Sequence, residues 1–584
     1  MLSSAMFIGC DNVLDKQPLD SFTNDNFWTK EANVEMYANY FYAEWTGYGN
    51  GGGSGSYYYP TLNDNQVGSS FSTFTKSVPG NSGTWNSCYT EIRRANIMLE
   101  KVPGISTMND ATKNNWLGIA RLYRAWQHYC LVRTFGDCIW VGKTLDVTAE
   151  DKEQYLYAAR QDRDAVMDNI LEDLNFAIAN ITKNASSRTA YNATVAQAMK
   201  AEICLYEGTF CKYRSSADGQ KAADPARAQK YLQECKTACE AIMGNSMYKL
   251  NDDYQANYNS LDLAGNTEMI MYKKYLVGVL LHSLIDYTCS STQMSGMSKA
   301  AFDSYLFTDG LPKATTKMDT NDHGVEFTGD DGQQKLNIEN VLATRDPRLS
   351  AHVDPVLLYP GNGYTRFGEG MVSTSSSGYG VYKFDNSSIP TNFRNQTSSN
   401  ETDAPIFWLA EIYLDYAEAC AELGNCTQSD LDKSINLLRK RVGMPDMTVA
   451  PVADPANNMG VSNLIWEIRR ERRVELMYDK NDRYWSLIRW HQLDKLDSQK
   501  YPDIFKGAWV GTLKADAKVD ENGYIDVAKG DYGTRIYDAK NYLEPIPSGQ
   551  MPAEGLRAEH WMNNYEGKSR LFHVSLRINP FGGI

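Results

Sequence analysis

Apolar residues recurring every three or four positions constrain this chain more than any other feature, because that spacing lines them along one face of an α-helix. One stripe runs through Trp116, Ile119, Tyr123, Trp126 and Cys130, and Gly136 stands beyond it, where a left-handed cap would end the helix. A second joins Val166, Ile170, Leu174, Ile178 and Ile181, and a third joins Val195, Met199, Ile203, Tyr206 and Phe210. Later, Ile406, Leu409, Tyr413, Tyr416, Cys420 and Leu423 form a fourth, followed by Gly424. Residues 430–441 and 464–478 read as two further helices.

These helices fall in neighbouring pairs joined by short turns, which is similar to tetratricopeptide-type hairpins stacked into a right-handed superhelix. The predicted fold is mostly α: a helical-hairpin scaffold over about 85–245 and 405–490, with few short strands. Two stretches lose the period. Residues 47–84, opening GYGNGGGSGSYYYP, and residues 251–404 are rich in Gly, Ser, Asn and Asp, with brief strand-like runs such as Glu268 to Tyr272. Irregular insertions of that length are more often binding surface than connection, so these two are predicted to form a loop-rich ligand-binding region.

Composition narrows the function. Against 72 acidic residues stand 58 Lys and Arg, a formal charge of −14, so the long-range attraction that nucleic acid binding rests on is missing. No apolar run after residue 10 reaches the ~18 residues of a membrane-spanning helix, so membrane association requires a lipid or a partner. The eleven cysteines contain no CxxC, and His128 with Cys130 lacks the second pair a zinc site needs. Cys130, Cys204, Cys235, Cys239 and Cys420 lie in helix-like segments, where small apolar packing is the expected role. The chain is rich in aromatics, with 37 Tyr, 19 Phe and 12 Trp. Most must fill helix cores, but the flat apolar face and polar edge of Tyr and Trp also match a sugar ring.

The start, MLSSAMFIGC, is a small and apolar run that stops at Cys10, ahead of polar, Pro-containing sequence. It reads either as a buried segment with an incidental cysteine or as the end of a lipoprotein signal cut before Cys10.

The order of local motifs supplies the rest. After Cys10 come VLDKQPLDSF, TWNSCYTEIRRANIMLEKV, ARLYRAWQHYCLVRTFGDC and DNILEDLNFAI, then FTDGLP, ATRDPRL and APIFWLAEIYLDYAEACAELG, and finally IRRERRVELMYDKNDRYWSLIRW and NYLEPIP. This series, from Cys10 to Pro547, resembles the SusD/RagB family of outer-membrane nutrient-binding lipoproteins. The resemblance implies a tetratricopeptide-like scaffold carrying an irregular ligand surface. It also implies a lipoprotein that faces the cell surface, captures an oligosaccharide or polysaccharide, and works with a SusC-like TonB-dependent transporter. Residues 1–10 would then be the remnant of a signal peptide with Cys10 as the acylated residue, and residues 11–584 a single SusD-like domain. In the RagB branch the cargo is peptide, so a peptide-binding uptake protein stays open, as does a protein-docking scaffold without transport.

Within the loops, Tyr57, Tyr58 and Tyr59 precede Asp64 and Asn65, and at least one of the three tyrosines is expected at the surface as a sugar platform beside polar groups. Trp85 is a further candidate, although its spacing to Tyr89 and Ile92 is that of a packed helix face. In the later insertion the candidate ligand contacts are Tyr287, Tyr364, Arg366, Tyr379, Asn392 and Arg394, with Phe393 beside them. The arginines of IRRERRVELMYD are expected to be paired within the fold, Glu467 with Arg470 and Arg472 with Glu475 at helical spacing, and RDPRL and LVRTFGD are read the same way. There is no nucleophile motif, phosphate loop, HExxH or EF-hand spacing, Asp330 and Asp331 included, so neither catalysis nor an essential metal or cofactor is expected.

Overall fold

A computed structural model describes residues 27–52, 55–58, 60–68, 71–145, 158–182, 187–289, 295–364, 373–529 and 534–550. Cys10, Tyr59 and Arg366 lie outside these described residues.

Five long helices come first: α1 (Gly83–Lys101), α2 (Asp110–Phe135), α3 (Arg163–Asn180), α4 (Ala193–Tyr213) and α5 (Pro225–Met243). Each starts on a side-chain cap that satisfies otherwise unpaired backbone donors, Ser82, Asn109, Asp162, Asn192 and Asp224 in turn. Each packs on the next, so the chain stacks as successive hairpins. The first three stripes face the interior almost throughout, and Gly136 ends α2 at φ 75°. α6 (Leu409–Glu422) then packs on α5, α7 (Asn463–Glu475) on α6, and α8 (Asp482–Arg489) on α4, which returns the C-terminal part to the first half. The result is the helical superhelix expected from the sequence.

Three local expectations change. Ile406 belongs to a strand, not to the α6 stripe: all five residues of Ala404–Trp408 are buried and pair with Met269–Lys273, the strand expected one residue earlier. Residues 430–441 form two short helices, Gln428–Asp432 and Ile435–Arg441, because Ser434 leaves helical geometry and turns its hydroxyl onto the Asp430 carbonyl. Arg472 pairs with Asp415, Glu418 and Asp482, whereas Glu475 takes Arg348 and Arg441.

The antiparallel pair of β1 (Met269–Lys273) and β2 (Ala404–Trp408) sets Lys273 opposite Ala404, so the long insertion between them leaves and re-enters the scaffold at one neck. A second antiparallel pair, Gln66–Val67 with Gly296–Met297, ties the early loop region to that insertion.

The arginine-rich helix α7 is buried and spent on ion pairs. Arg469 bonds Glu422 at 3.1 Å, Arg470 bonds Glu467 at 3.1 Å together with Asp454, and Glu471 accepts from Arg439 at 2.7 Å and forms an ion pair with Arg348 at 2.6 Å. Glu418 of α6 accepts from Arg472, Arg489 and Trp490 at 3.0, 2.5 and 2.6 Å. Burial alone would raise its carboxyl, but the two guanidiniums outweigh that and hold it at about 2. Among the described residues no helix is long and apolar enough to cross a membrane.

Candidate functional site

Residues 47–52 and 55–58, the segment around the short helix Leu284–Cys289, and residues 391–400 meet in one loop cluster. The Gly51 N–H donates to the Leu281 carbonyl at 2.7 Å, and the Ser283 hydroxyl donates to the Gly51 carbonyl at 3.0 Å. The backbones of His282 and Asn400 exchange hydrogen bonds at 2.9 Å, and Asn400 Oδ1 caps the short helix by accepting from the Ile285 N–H at 3.0 Å. The Thr397 hydroxyl reaches Asp286 at 3.1 Å.

Glycine makes the first loop possible. A Cβ on Gly55 would stand 2.2 Å from the Gly47 carbonyl oxygen, so the chain can fold back on itself there only without a side chain. The turn puts alternate tyrosines to different uses. Tyr48 and Tyr57 point inward: their rings meet edge-on at 4.9 Å, and their hydroxyls donate to the carbonyls of Tyr258 and Pro405, both at 2.8 Å. Burial pushes both phenols well above their ordinary value, so they stay neutral donors. Tyr58, next along, is half-buried and meets the half-buried Tyr287 at 5.3 Å with the rings inclined by 57°. Asn392 and Phe393 of the same cluster are exposed, Phe393 by 41%.

The sequence candidates therefore divide. Tyr58 and Tyr287 stand together at the surface of this cluster, and Asn392 is exposed on its third segment. Tyr57, expected as one of the platforms, is 1% exposed and works as an anchor beneath it. Trp85 is buried against Tyr89 and Phe135, as its helical spacing indicated. Tyr379 is buried and stacked on Phe302 at 4.3 Å, and Arg394 is turned inward onto Asp385 at 3.0 Å. These side chains offer no surface to a ligand, because each has an internal partner that a loop sequence does not reveal. Asp64 is also buried, bonded by Arg483 at 2.7 Å and Arg473 at 3.2 Å, and Asn65 accepts from Arg473 at 2.7 Å. Burial would raise the Asp64 carboxyl, but the two guanidiniums hold it well below the usual carboxylate range. Tyr364 is half-buried on a different hairpin, 6.3 Å from Phe327.

Two surface features escaped sequence reasoning. Leu276, Val277 and Val279 project from a tight turn beside the cluster, exposed by 52%, 58% and 79%; apolar letters in YLVGVLL read as core, and only Gly278 signals the turn. His323 stacks on the half-buried Trp509 at 3.7 Å, a pairing across the chain that no local pattern announces. A possible metal cluster of Asp164, Glu207 and Cys211 is occupied by cations: Arg214 holds Asp164 at 2.7 Å, and Arg163 and Arg227 hold Glu207 at 2.5 and 2.9 Å.

With fold and surface in view, known proteins supply the comparison. A solved SusD-like carbohydrate binding protein from Bacteroides fragilis has a TM-score of 0.66 at 20% identity, covering 90% of this chain and 98% of its own. A structure solved with xylogluco-oligosaccharide has a TM-score of 0.58 at 16% identity, covering 91% and 97%. A SusD-like protein of Bacteroides ovatus is 23% identical over 562 residues, covering 92% of this chain and 90% of its own. A family described as starch-binding associating with outer membrane matches residues 11–205. The family described as the SusD family matches residues 239–555, more than half of the sequence, and takes in the neck strands, the ion-paired arginine helix and most of the loop insertion; this chain belongs to the SusD family.

Proposed function

We propose that this protein captures a glycan at the outer-membrane surface and passes it, unaltered, to a SusC-like TonB-dependent transporter, held to the membrane through a lipid on Cys10. The observation that carries the reading is the Tyr58–Tyr287 pair, two half-buried rings at the rim of a loop cluster whose third segment exposes Asn392 and Phe393. Inclined aromatic faces take the C–H faces of a pyranose, and neighbouring amides pair with its hydroxyls. The scaffold suits the task, because a rigid helical core keeps the loops in place while the ring edges stay wet. The relatives' names, one carbohydrate binding and one solved with xylogluco-oligosaccharide, favour the same ligand class. Binding rather than hydrolysis is supported by Asp64, whose carboxylate is tied to Arg483 and Arg473 and is not free to move a proton.

The test is calorimetric titration of the protein with plant, host and microbial polysaccharides and with peptide digests. Expected is glycan binding without new reducing ends, weakened roughly tenfold in Tyr58→Ala or Tyr287→Ala, on the order of 1.4 kcal/mol, with the melting temperature unchanged. Binding of peptides alone would move the protein to the RagB-like alternative. Copurification with the transporter tests the partner.

A further inference from the structure

A cavity of about 540 Å³ opens at the surface between residues 312–314, 456–459 and 500–504, away from the tyrosine cluster. Its floor is Arg470, Arg473 and Arg483, which also line an adjoining void of about 40 Å³, and Trp466 and Tyr501 stand in its walls.

The carboxylates at this floor are unevenly shared. Arg470 holds both Glu467 and Asp454. The single carboxylate of Asp64 serves Arg473 and Arg483 together. Among the described residues the Arg535 guanidinium, buried behind it, bonds the carbonyls of Ser72, Asn63 and Thr61 and no carboxylate, and it too feels the negative charge of Asp64. Arg473 spends Nε and Nη2 on Asn65 and Asp64, and Arg483 spends Nε and Nη2 on Asp64. Nη1 of each has no hydrogen-bond partner among the described residues, although the Arg483 side chain is only 8% exposed. Neither Nη1 is among the buried atoms that lack a partner, so both are open to the cavity; desolvation together with neighbouring Arg483 and Arg470 lowers Arg473 to about 10 despite Asp64. Of the other acids in the lining, Asp303 is held by Lys299 and Lys313 and Asp503 by Lys506, while Lys500, exposed at the mouth, adds a positive charge.

We infer that this cavity is a second binding site, for a sugar that carries an oxyanion, with the anion seated on Nη1 of Arg473 and Arg483 and the ring against Trp466 and Tyr501. Guanidinium donors match a carboxylate or a sulfate in charge and geometry. The volume is that of a small-molecule pocket and admits a ring as well as the anion. A uronate or a sulfated residue of a glycan would supply both. The site shares no residue with the tyrosine surface and does not rest on it, so either can fail alone.

The full chain is titrated with sodium D-galacturonate, D-galactose 6-sulfate, D-galactose and sodium sulfate. At least one charged sugar binds saturably and more weakly as salt rises, and D-galactose does not bind. Which of the two binds identifies the oxyanion. Lys500→Glu leaves the melting temperature unchanged and weakens binding by roughly tenfold, about the worth of one charge-assisted hydrogen bond. Arg473→Gln abolishes binding if it folds, and Lys500→Glu decides the matter if it does not. The proposal is overturned if neither charged sugar binds, if D-galactose binds equally well, if inorganic sulfate alone binds as tightly as either sugar, or if Lys500→Glu leaves the affinity intact.

Discussion

His282 lies under the tyrosine surface, where its Nε2–H donates to the Thr402 carbonyl at 3.0 Å and its Nδ1 accepts the Leu284 N–H at 3.2 Å. The bond that Nδ1 accepts requires the neutral ring, and burial lowers the imidazole from 6.5 to about 3. The unfolded chain therefore takes up a proton near pH 6.5 that the folded chain refuses until about 3, so the stability His282 confers above that window is lost as pH falls through it. Relative to His282→Gln, the wild type should lose up to about 1.4 kcal/mol per pH unit below 6.5, measured by urea denaturation across a pH series. Parallel curves for the two proteins would contradict this. At the same scale, the three consecutive tyrosines were legible as a surface feature, but not which ring stays outside. Tyr57 is drawn in by a carbonyl 348 residues away, and Tyr58 is left at the rim.

The helices behave as their periods and caps dictate, because both signals are local. The loops and the α7 partners do not, since what they touch comes from other elements. Arg472 of α7 is shared by Asp415, Glu418 and Asp482, so Arg472→Ala leaves buried carboxylates unpaired and should cost roughly 3–5 kcal/mol in chemical denaturation. A loss under about 1 kcal/mol, the worth of a surface pair, would show that water reaches the network. In the loop of residues 47–58, Gly55→Ala drives a Cβ into the Gly47 carbonyl and should open the turn that presents Tyr58. Glycan affinity should drop at least as far as in Tyr58→Ala while the far-ultraviolet circular dichroism stays that of the wild type, because no helix depends on the turn.

Across the whole molecule, Asp64 joins parts of the chain that are far apart: it lies 419 residues from Arg483, beside the Gln66–Val67 strand that pairs with Gly296–Met297. Asp64→Asn removes the one carboxylate those arginines share, and hydrogen exchange should rise together at residues 61–67 and 295–298, with a stability loss of roughly 3–5 kcal/mol. Exchange confined to residues 61–67 would mean that the two loop regions hold independently. What the sequence by itself determined is the helical scaffold, the structural duty of the arginine-rich helix in a net-acidic chain, and the family, because periodicity, capping and motif order are written in neighbouring residues. Which candidate side chains stay at the surface was decided by the tertiary structure alone. Burial of Tyr57, Tyr379 and Arg394, exposure of Leu276 and Val279, and the sharing of Asp64 by Arg473 and Arg483 all arise from contacts between segments that only folding brings together.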